Sequence, residues 1–234
     1  MSALDELLSS DHLIDLTQPL GPATVLWPGS QPFTAETTVD HDTHGAYARD
    51  LTLPEHAGTH LDAPVHFARD GATTETLALS ALVRPAARLD VRALVADDPS
   101  FAVSAANVEK IERLDGEIPA GSAVLVNTGW DRFLGDPERY GGGAATAFPG
   151  LGTDAARLLV VRGVVGIGID TLGVDPGESE TFSAHRVTMP AGLWHAEGLV
   201  GLDRVPARGA WLVVGVLPIV DGSGAPARVF AVLP

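Results

Sequence analysis

Three of the eight histidines in this 234-residue chain fall within eleven residues, in the run His56-Ala-Gly-Thr-His60-Leu-Asp62-Ala-Pro-Val-His66-Phe67. Neutral imidazole and ionised carboxylate are the ligands that zinc, manganese and iron accept where thiolate is lacking, and the chain contains no cysteine. The spacing His-x₃-His-x-Asp-x₃-His therefore offers up to four donors: His56, His60, Asp62 and His66. A helix is the wrong support for them. Gly58 and Pro64 lie inside the run, and an interior proline removes a hydrogen bond and clashes with the preceding turn. The donors are expected instead at a strand-to-loop junction, from which side chains can turn toward a common point. Any one of these histidines, taken alone, is more often a surface or hydrogen-bonding residue; four potential ligands so close together favour a metal site.

A second cluster runs from Phe182-Ser-Ala-His185-Arg through Trp194-His195-Ala-Glu197. On residue types alone it is weak, because a buried histidine beside tryptophan is commonly structural and a glutamate near a turn is commonly solvated. The aromatic residues near the motifs, Trp27, Phe67 and Trp130, could line a pocket for a flat substrate or simply pack the core. Arg69 and Arg186 flank the proposed donors, where they could hold a substrate carboxylate, though surface ion pairs are the ordinary alternative. Asp170 ends an apolar run and could face a crevice or hydrogen-bond a neighbouring turn.

Composition narrows the function classes. Thirty acidic against fifteen basic residues give a net charge of −15, which argues against a nucleic-acid partner, since phosphate contacts need a basic face. No membrane partner is expected: the longest apolar stretch, Ala210 to Val220, is well short of the roughly 18 residues of a spanning helix. The acidic N-terminal segment does not read as a signal peptide, so the expected location is cytoplasmic. The absence of cysteine excludes disulfides and thiolate nucleophiles.

Elements able to position the donors follow from short apolar or β-branched runs closed by Gly, Pro or Asp. Strands are predicted over His12–Thr17, Phe33–Val39, Ala48–Leu53, Ala87–Val91, Ala123–Asn127, Val164–Asp170, Trp211–Leu217 and Arg228–Leu233. Helices are predicted over Ala3–Leu8, Ser104–Arg113 and Asp154–Arg162, with Ser104 and Thr153 as N-caps. Asp131–Gly152, rich in Gly and Pro, reads as a long loop of the kind kept for function. This mixed order predicts an α/β or α+β domain with a central mixed sheet, and nothing marks a boundary within residues 1–234.

The run from His56 to Phe67 resembles the signature of the cyclase family of metal-dependent hydrolases, which includes bacterial kynurenine formamidases and isatin hydrolases. Agreement extends over nearly the whole chain: Ile14-Asp-Leu-Thr17, Trp27-Pro-Gly29, Asn127-Thr-Gly-Trp130, Val165-Gly-Ile-Gly-Ile-Asp170, and the pair His185 and Glu197, twelve residues apart. The resemblance implies a single swivelling β/β/α domain in a homodimer or homotetramer, with one or two divalent ions, Zn²⁺ or Mn²⁺. His56, His60 and Asp62 match the primary metal ligands. His66, His185 and Glu197 match positions that bind a second ion or move protons, so they are candidates for both roles. His195 matches none and is expected to be structural. The segment Trp130–Tyr140 with Phe148-Pro-Gly150 is similar to the isatin-hydrolase side of the family.

The resulting expectation is an enzyme that cleaves an amide C–N bond in an aryl formamide or cyclic amide with metal-activated water, using no covalent nucleophile. His66 or His185, with Glu197, would move the proton to the leaving group. Two alternatives remain open at this point: a metal-dependent cyclase, dehydratase or lactone hydrolase acting on a polyketide-like intermediate, and a non-catalytic module clamped by a structural ion.

Overall fold

The computed structural model describes residues 12–141, 143 and 146–234; the helix expected over Ala3–Leu8 lies outside them. In chain order the elements are β1 (Leu13–Asp15), β2 (Thr34–Val39), α1 (His41–His44), β3 (Ala48–Thr52), β4 (His60–Asp62), α2 (Leu79–Leu82) and β5 (Val83–Asp90). There follow α3 (Arg92–Val95), β6 (Ala102–Val103), α4 (Ala105–Asp115), β7 (Ala123–Asn127), α5 (Pro137–Gly141), β8 (Gly150–Leu151) and α6 (Thr153–Val161). The last are β9 (Gly166–Ile169), α7 (Ser183–Thr188), β10 (Trp194–Glu197), β11 (Trp211–Val216) and β12 (Gly224–Val232).

The central sheet is mixed, as expected, and it closes on itself. Its order is β1-β12-β11-β5-β7-β9-β10-β4, and β4 also pairs with β12. β5, β7, β9 and β10 are parallel neighbours, whereas β10–β4, β4–β12, β12–β11 and β11–β5 are antiparallel. Closure leaves this sheet no long free edge among the described residues.

Strand alternation divides the core in two. Ala123 and Leu125 of β7 join Leu61, Trp194, Ala196, Leu212, Val214 and Val229 on the inside of the closed sheet. Val124 and Val126 turn outward with Ala87, Leu89, Ile167 and Ile169, where Val108, Ile111, Ala155, Ala156 and Leu159 of α4 and α6 cover them. Every residue of β7 is buried, which accounts for its unbroken apolar sequence. The strand carrying Gly166 can approach β10 because a Cβ there would lie 2.2 Å from the Trp194 ring.

Local chemistry explains where the helices begin and what fills the segment between β7 and α6. Ser104 caps α4 as expected: its Oγ accepts from the Asn107 N–H at 3.3 Å while the Asn107 side chain accepts from the Ser104 N–H at 2.9 Å, a reciprocal capping box. For α6 the cap is Gly152 and Thr153 is already helical; the Thr153 hydroxyl is engaged by Ser183 at 2.8 Å. Asp131–Gly152 is not a structureless loop. It contains part of a 3₁₀ turn over Trp130–Phe133, then α5 and β8, tied together by the Trp130 indole N–H donating to Tyr140 O at 3.1 Å. No helix of the described residues is long and apolar enough to cross a membrane.

Candidate metal centre

The site is built on one face of the β4–β10 pair. Leu61 of β4 and Ala196 of β10 point inside the closed sheet, so their neighbours must point out. The antiparallel register sets His195 opposite Asp62 and Glu197 opposite His60. Four polar side chains thus form a two-by-two square on a buried surface, and all four are at most 4 % exposed. His185 is brought over this square by α7, and His56 and His66 flank it from the loop before β4 and the 3₁₀ turn Pro64–His66 after it.

Hydrogen bonds fix which nitrogen each ring presents. His60 Nδ1 lies 2.9 Å from Gly58 O; a carbonyl only accepts, so Nδ1 carries the proton and Nε2 faces the centre. His185 Nδ1 meets Asp175 Oδ2 at 2.6 Å, leaving its Nε2 3.3 Å from Asp62 Oδ2 and 3.4 Å from Glu197 Oε1. The Ser223 hydroxyl donates to Glu55 Oε2 at 2.6 Å and therefore accepts from His56 Nε2 at 3.0 Å, which turns His56 Nδ1 to Asp62 Oδ1 at 2.6 Å. His60 Nε2 completes the set, 3.1 Å from Asp62 Oδ1 and 3.4 Å from Glu197 Oε2. Oriented imidazoles whose outer nitrogen is held by a carboxylate or carbonyl are the usual support of a metal centre.

Two local features hold this geometry. Gly58 adopts φ +61° at the bend before β4, a left-handed conformation that glycine takes without penalty. The Thr59 hydroxyl donates to Gly198 O at 2.6 Å and accepts from the Gln18 N–H at 3.0 Å, locking that bend to the end of β10. At Gly224 a Cβ would lie 2.6 Å from His56 Cε1 and 2.8 Å from Leu61 O, so only glycine leaves room for the His56 ring.

Electrostatics follow from two carboxylates buried side by side. Burial and the neighbouring Asp62 both oppose ionisation of Glu197, yet His185 and His60 bring it down to about 2. For Asp62, burial is outweighed by His56 and His60, which hold it well below the ordinary carboxylate value. Burial alone would neutralise His60, but Asp62 and Glu197 push it up to about 10. His185 is likewise pushed well above its ordinary value, against burial, by Asp175, Asp62 and Glu197. Protonated His60 and His185 and a divalent cation are thus alternative counter-charges for the same carboxylates. The donor set fits such a cation. Asp62, His185, His195 and Glu197 each offer an atom within 4.8 Å of the others, and so do His56, Asp62 and His66; Asp62 belongs to both groups. His60 belongs to neither and joins through its contacts with Asp62 and Glu197.

Over the donors opens a cavity of about 310 Å³, walled by Trp27, Phe67, Phe182, Leu172, Pro54 and Pro176. Phe182 stands 5.8 Å from Trp27 and 5.7 Å from Phe67, centroid to centroid. Trp27 and Phe67 therefore lie where the sequence reading puts them. Trp130 does not: it is 4 % exposed in the outer core, stacked edge-on against Phe133 at 4.9 Å, because its indole N–H is drawn to Tyr140 O. Arg69 and Arg186 are absent from the lining; Arg186 instead donates to Thr181 O at 2.9 Å.

Asp170 takes its hydrogen-bonding role rather than facing the cavity, accepting from the N–H groups of Thr128, Gly129 and Trp130 and from the Thr128 hydroxyl. Asp175, Phe182 and Ser223 carry no motif signal of their own. His195, in contrast, shares a strand face with Glu197 two residues on, a period that the sequence displays.

A closed mixed sheet bearing this donor cluster beneath an aromatic-walled cavity defines a metal-dependent enzyme of the mixed α/β class. The chain belongs to the cyclase family, whose model, described as "Putative cyclase", matches residues 14–176. It is 32 % identical to isatin hydrolase of Roseibium aggregatum, covering 98 % of this chain and 95 % of that protein. It is 33 % identical to kynurenine formamidase of Salinibacter ruber, over 92 % of this chain and 95 % of the relative. Among solved structures, an isatin hydrolase bound to the product analogue thioisatinate superposes with a TM-score of 0.92 at 30 % identity, covering all of both chains.

Proposed function

We propose that this protein is a metal-dependent hydrolase that opens the C–N bond of a flat cyclic amide of the isatin type, with aryl formamides as the second substrate class. The observation that carries this reading is the convergence of His56, His60, Asp62, His185 and Glu197 at the floor of the aromatic-walled cavity, with His66 at its rim, in a chain similar over its whole length to isatin hydrolase. In this reading His56, His60, Asp62, His185 and Glu197 hold the ion, and the mixed imidazole and carboxylate set suits Zn²⁺ or Mn²⁺. A bound divalent ion supplies Lewis acidity and lowers the pKa of water from about 15.7 toward about 7.

The chain's own residues do the rest. Trp27, Phe67 and Phe182 bind a planar ring by stacking and exclude water around it. Among the described residues the lining contains no arginine or lysine, so a neutral ring is favoured over a charged amino acid. His66 sits at the rim with its ring 4.2 Å from that of His56. Burial lowers its pKa from the ordinary imidazole value, against the pull of the Asp62 carboxylate. At neutral pH it is an unprotonated base that can accept a proton from the attacking water and return it to the leaving nitrogen.

A homo-oligomer is proposed on a separate ground. All of β3 is exposed, as is most of β2, with which it pairs, and an unsupported two-stranded ribbon is marginal in water; a second copy covering Tyr47 and Leu51 would stabilise it.

The test is a screen of the metal-reconstituted protein against isatin, N-formylkynurenine and simple lactones, read by mass spectrometry. A mass gain of one water on isatin is expected. Conversion of isatin or a lactone without that gain points to a cyclase or dehydratase, release of formate from N-formylkynurenine marks hydrolysis of the second substrate class, and no conversion of any amide overturns the reading.

A further inference from the structure

We propose that His195 is a nitrogen donor of the same centre, presenting Nδ1 to a divalent cation held between Asp62, His185 and Glu197. The inference rests on the metal-centre reading above and adds a residue that the motif does not include.

Three independent observations carry it. Register is the first: His195 stands directly opposite Asp62 across the β4–β10 pair and on the same face as Glu197, whereas Trp194 and Ala196 point inside the closed sheet. Proximity is the second, since His195 offers an atom within 4.8 Å of donor atoms of Asp62, His185 and Glu197, and its ring meets that of His185 edge-on at 4.6 Å.

The third is the tautomer. The Thr188 hydroxyl donates to Ala184 O at 2.7 Å, which uses its only proton. Its 2.8 Å contact with His195 Nε2 can then be a hydrogen bond only if the nitrogen donates. Nδ1 is left with its lone pair, fully buried, and without a hydrogen-bond partner among the described residues. A buried imidazole nitrogen in that condition calls for an explanation. Thr188 does for His195 what Gly58 O does for His60 and Asp175 for His185: it engages one nitrogen and leaves the other as the donor. A ring serving only as core packing would need neither the threonine anchor nor a place in the donor face.

The test uses Zn²⁺ and Cu²⁺ on the chelator-stripped chain. Zn²⁺ affinity is measured by competition with a chromophoric chelator, and the number of imidazole nitrogens on Cu²⁺ by pulsed electron paramagnetic resonance. His195→Leu is expected to lose one imidazole nitrogen from the Cu²⁺ signal and to bind Zn²⁺ about 10–100-fold more weakly. Thr188→Val, nearly isosteric, frees the ring to carry its proton on Nδ1 and is expected to weaken Zn²⁺ binding severalfold with the fold intact by circular dichroism. Wild-type nitrogen count and affinity in His195→Leu would overturn the proposal; should that variant not fold, unchanged affinity in Thr188→Val overturns it. If the wild-type chain itself takes up neither ion, the metal-centre reading fails first, and this inference falls with it.

Discussion

Replacing Asp175 by asparagine changes one atom outside the ligand set and should still disable the centre. Asp175 Oδ2 accepts from His185 Nδ1 at 2.6 Å and from the His185 N–H at 3.1 Å, while Oδ1 accepts from the Ala184 N–H at 2.6 Å. Three donors converge on a carboxylate that can only accept. An asparagine keeps one oxygen and brings an NH₂ that can only donate. With its oxygen toward Ala184, the NH₂ confronts both the ring and the backbone N–H of His185; the ring escapes by moving its proton from Nδ1 to Nε2, and the backbone N–H is left orphaned. The ring proton then points at Asp62 and Glu197, where the lone pair is needed. With the amide reversed, the NH₂ confronts the Ala184 N–H at the start of α7 and a buried donor is orphaned. Either outcome should cost about 1–3 kcal/mol of folding stability. Loss of the residue that orients a metal-binding histidine typically weakens metal affinity about 10–100-fold, or about 1.4–2.7 kcal/mol. The assay is Zn²⁺ competition titration of Asp175→Asn at pH 7, alongside urea unfolding of the stripped proteins. A Zn²⁺ affinity within about twofold of wild type together with an unchanged urea midpoint would refute the claim that Asp175 holds His185 in place.

Three further expectations can be checked together. Gly224→Ala places a methyl group 2.6 Å from His56 Cε1 and against the backbone oxygen of Leu61; His56 must swing away, so metal affinity should drop by at least about tenfold, with an overpacking cost of about 1–3 kcal/mol in urea melts. His60 is raised from 6.5 to about 10, so its contribution to the stability of the stripped protein is full below pH 6.5 and lost as pH rises through about 10. Metal uptake must displace that proton, so affinity should increase with pH over the same range; calorimetry in buffers of different ionisation enthalpy should show proton release at pH 7. Phe182→Ala removes one wall of the cavity and should raise KM for a planar substrate while leaving metal content unchanged, whereas Trp130→Phe, outside the cavity, should leave KM as it was.

The elements that were legible in the sequence are those whose local chemistry decides them. Ser104, placed just before residues of good helix propensity, announces the start of α4, and the unbroken Ala-Val-Leu-Val run announces a doubly covered β7. The donor run was legible as well, because glycine and proline inside it forbid a helix and leave a short strand and turns. β10 is not legible in the sequence, for a nonlocal reason. Trp194-His195-Ala196-Glu197 is only four residues long, and its strand conformation comes from pairing with β9 and β4, which lie far away in the chain.

The place of Trp130 in the outer core is equally nonlocal, since it depends on where Tyr140 O sits. Asp175 shows no pattern at all: its partners lie nine and ten residues later and meet it only when α7 folds over the sheet. Phe182 gives equally little warning, standing at φ +48° ahead of α7, a conformation that no local propensity favours.

The central claim is that a divalent ion held by the carboxylates and imidazoles of β4, β10 and α7 makes hydrolysis possible. The most direct measurement is the rate of isatin ring opening as chelator-stripped protein, verified by elemental analysis, is titrated with Zn²⁺ or Mn²⁺. Negligible turnover before addition, and a rate that climbs in proportion to bound ion until the centre saturates, is the predicted result. Undiminished ring opening by protein proved free of metal would contradict it.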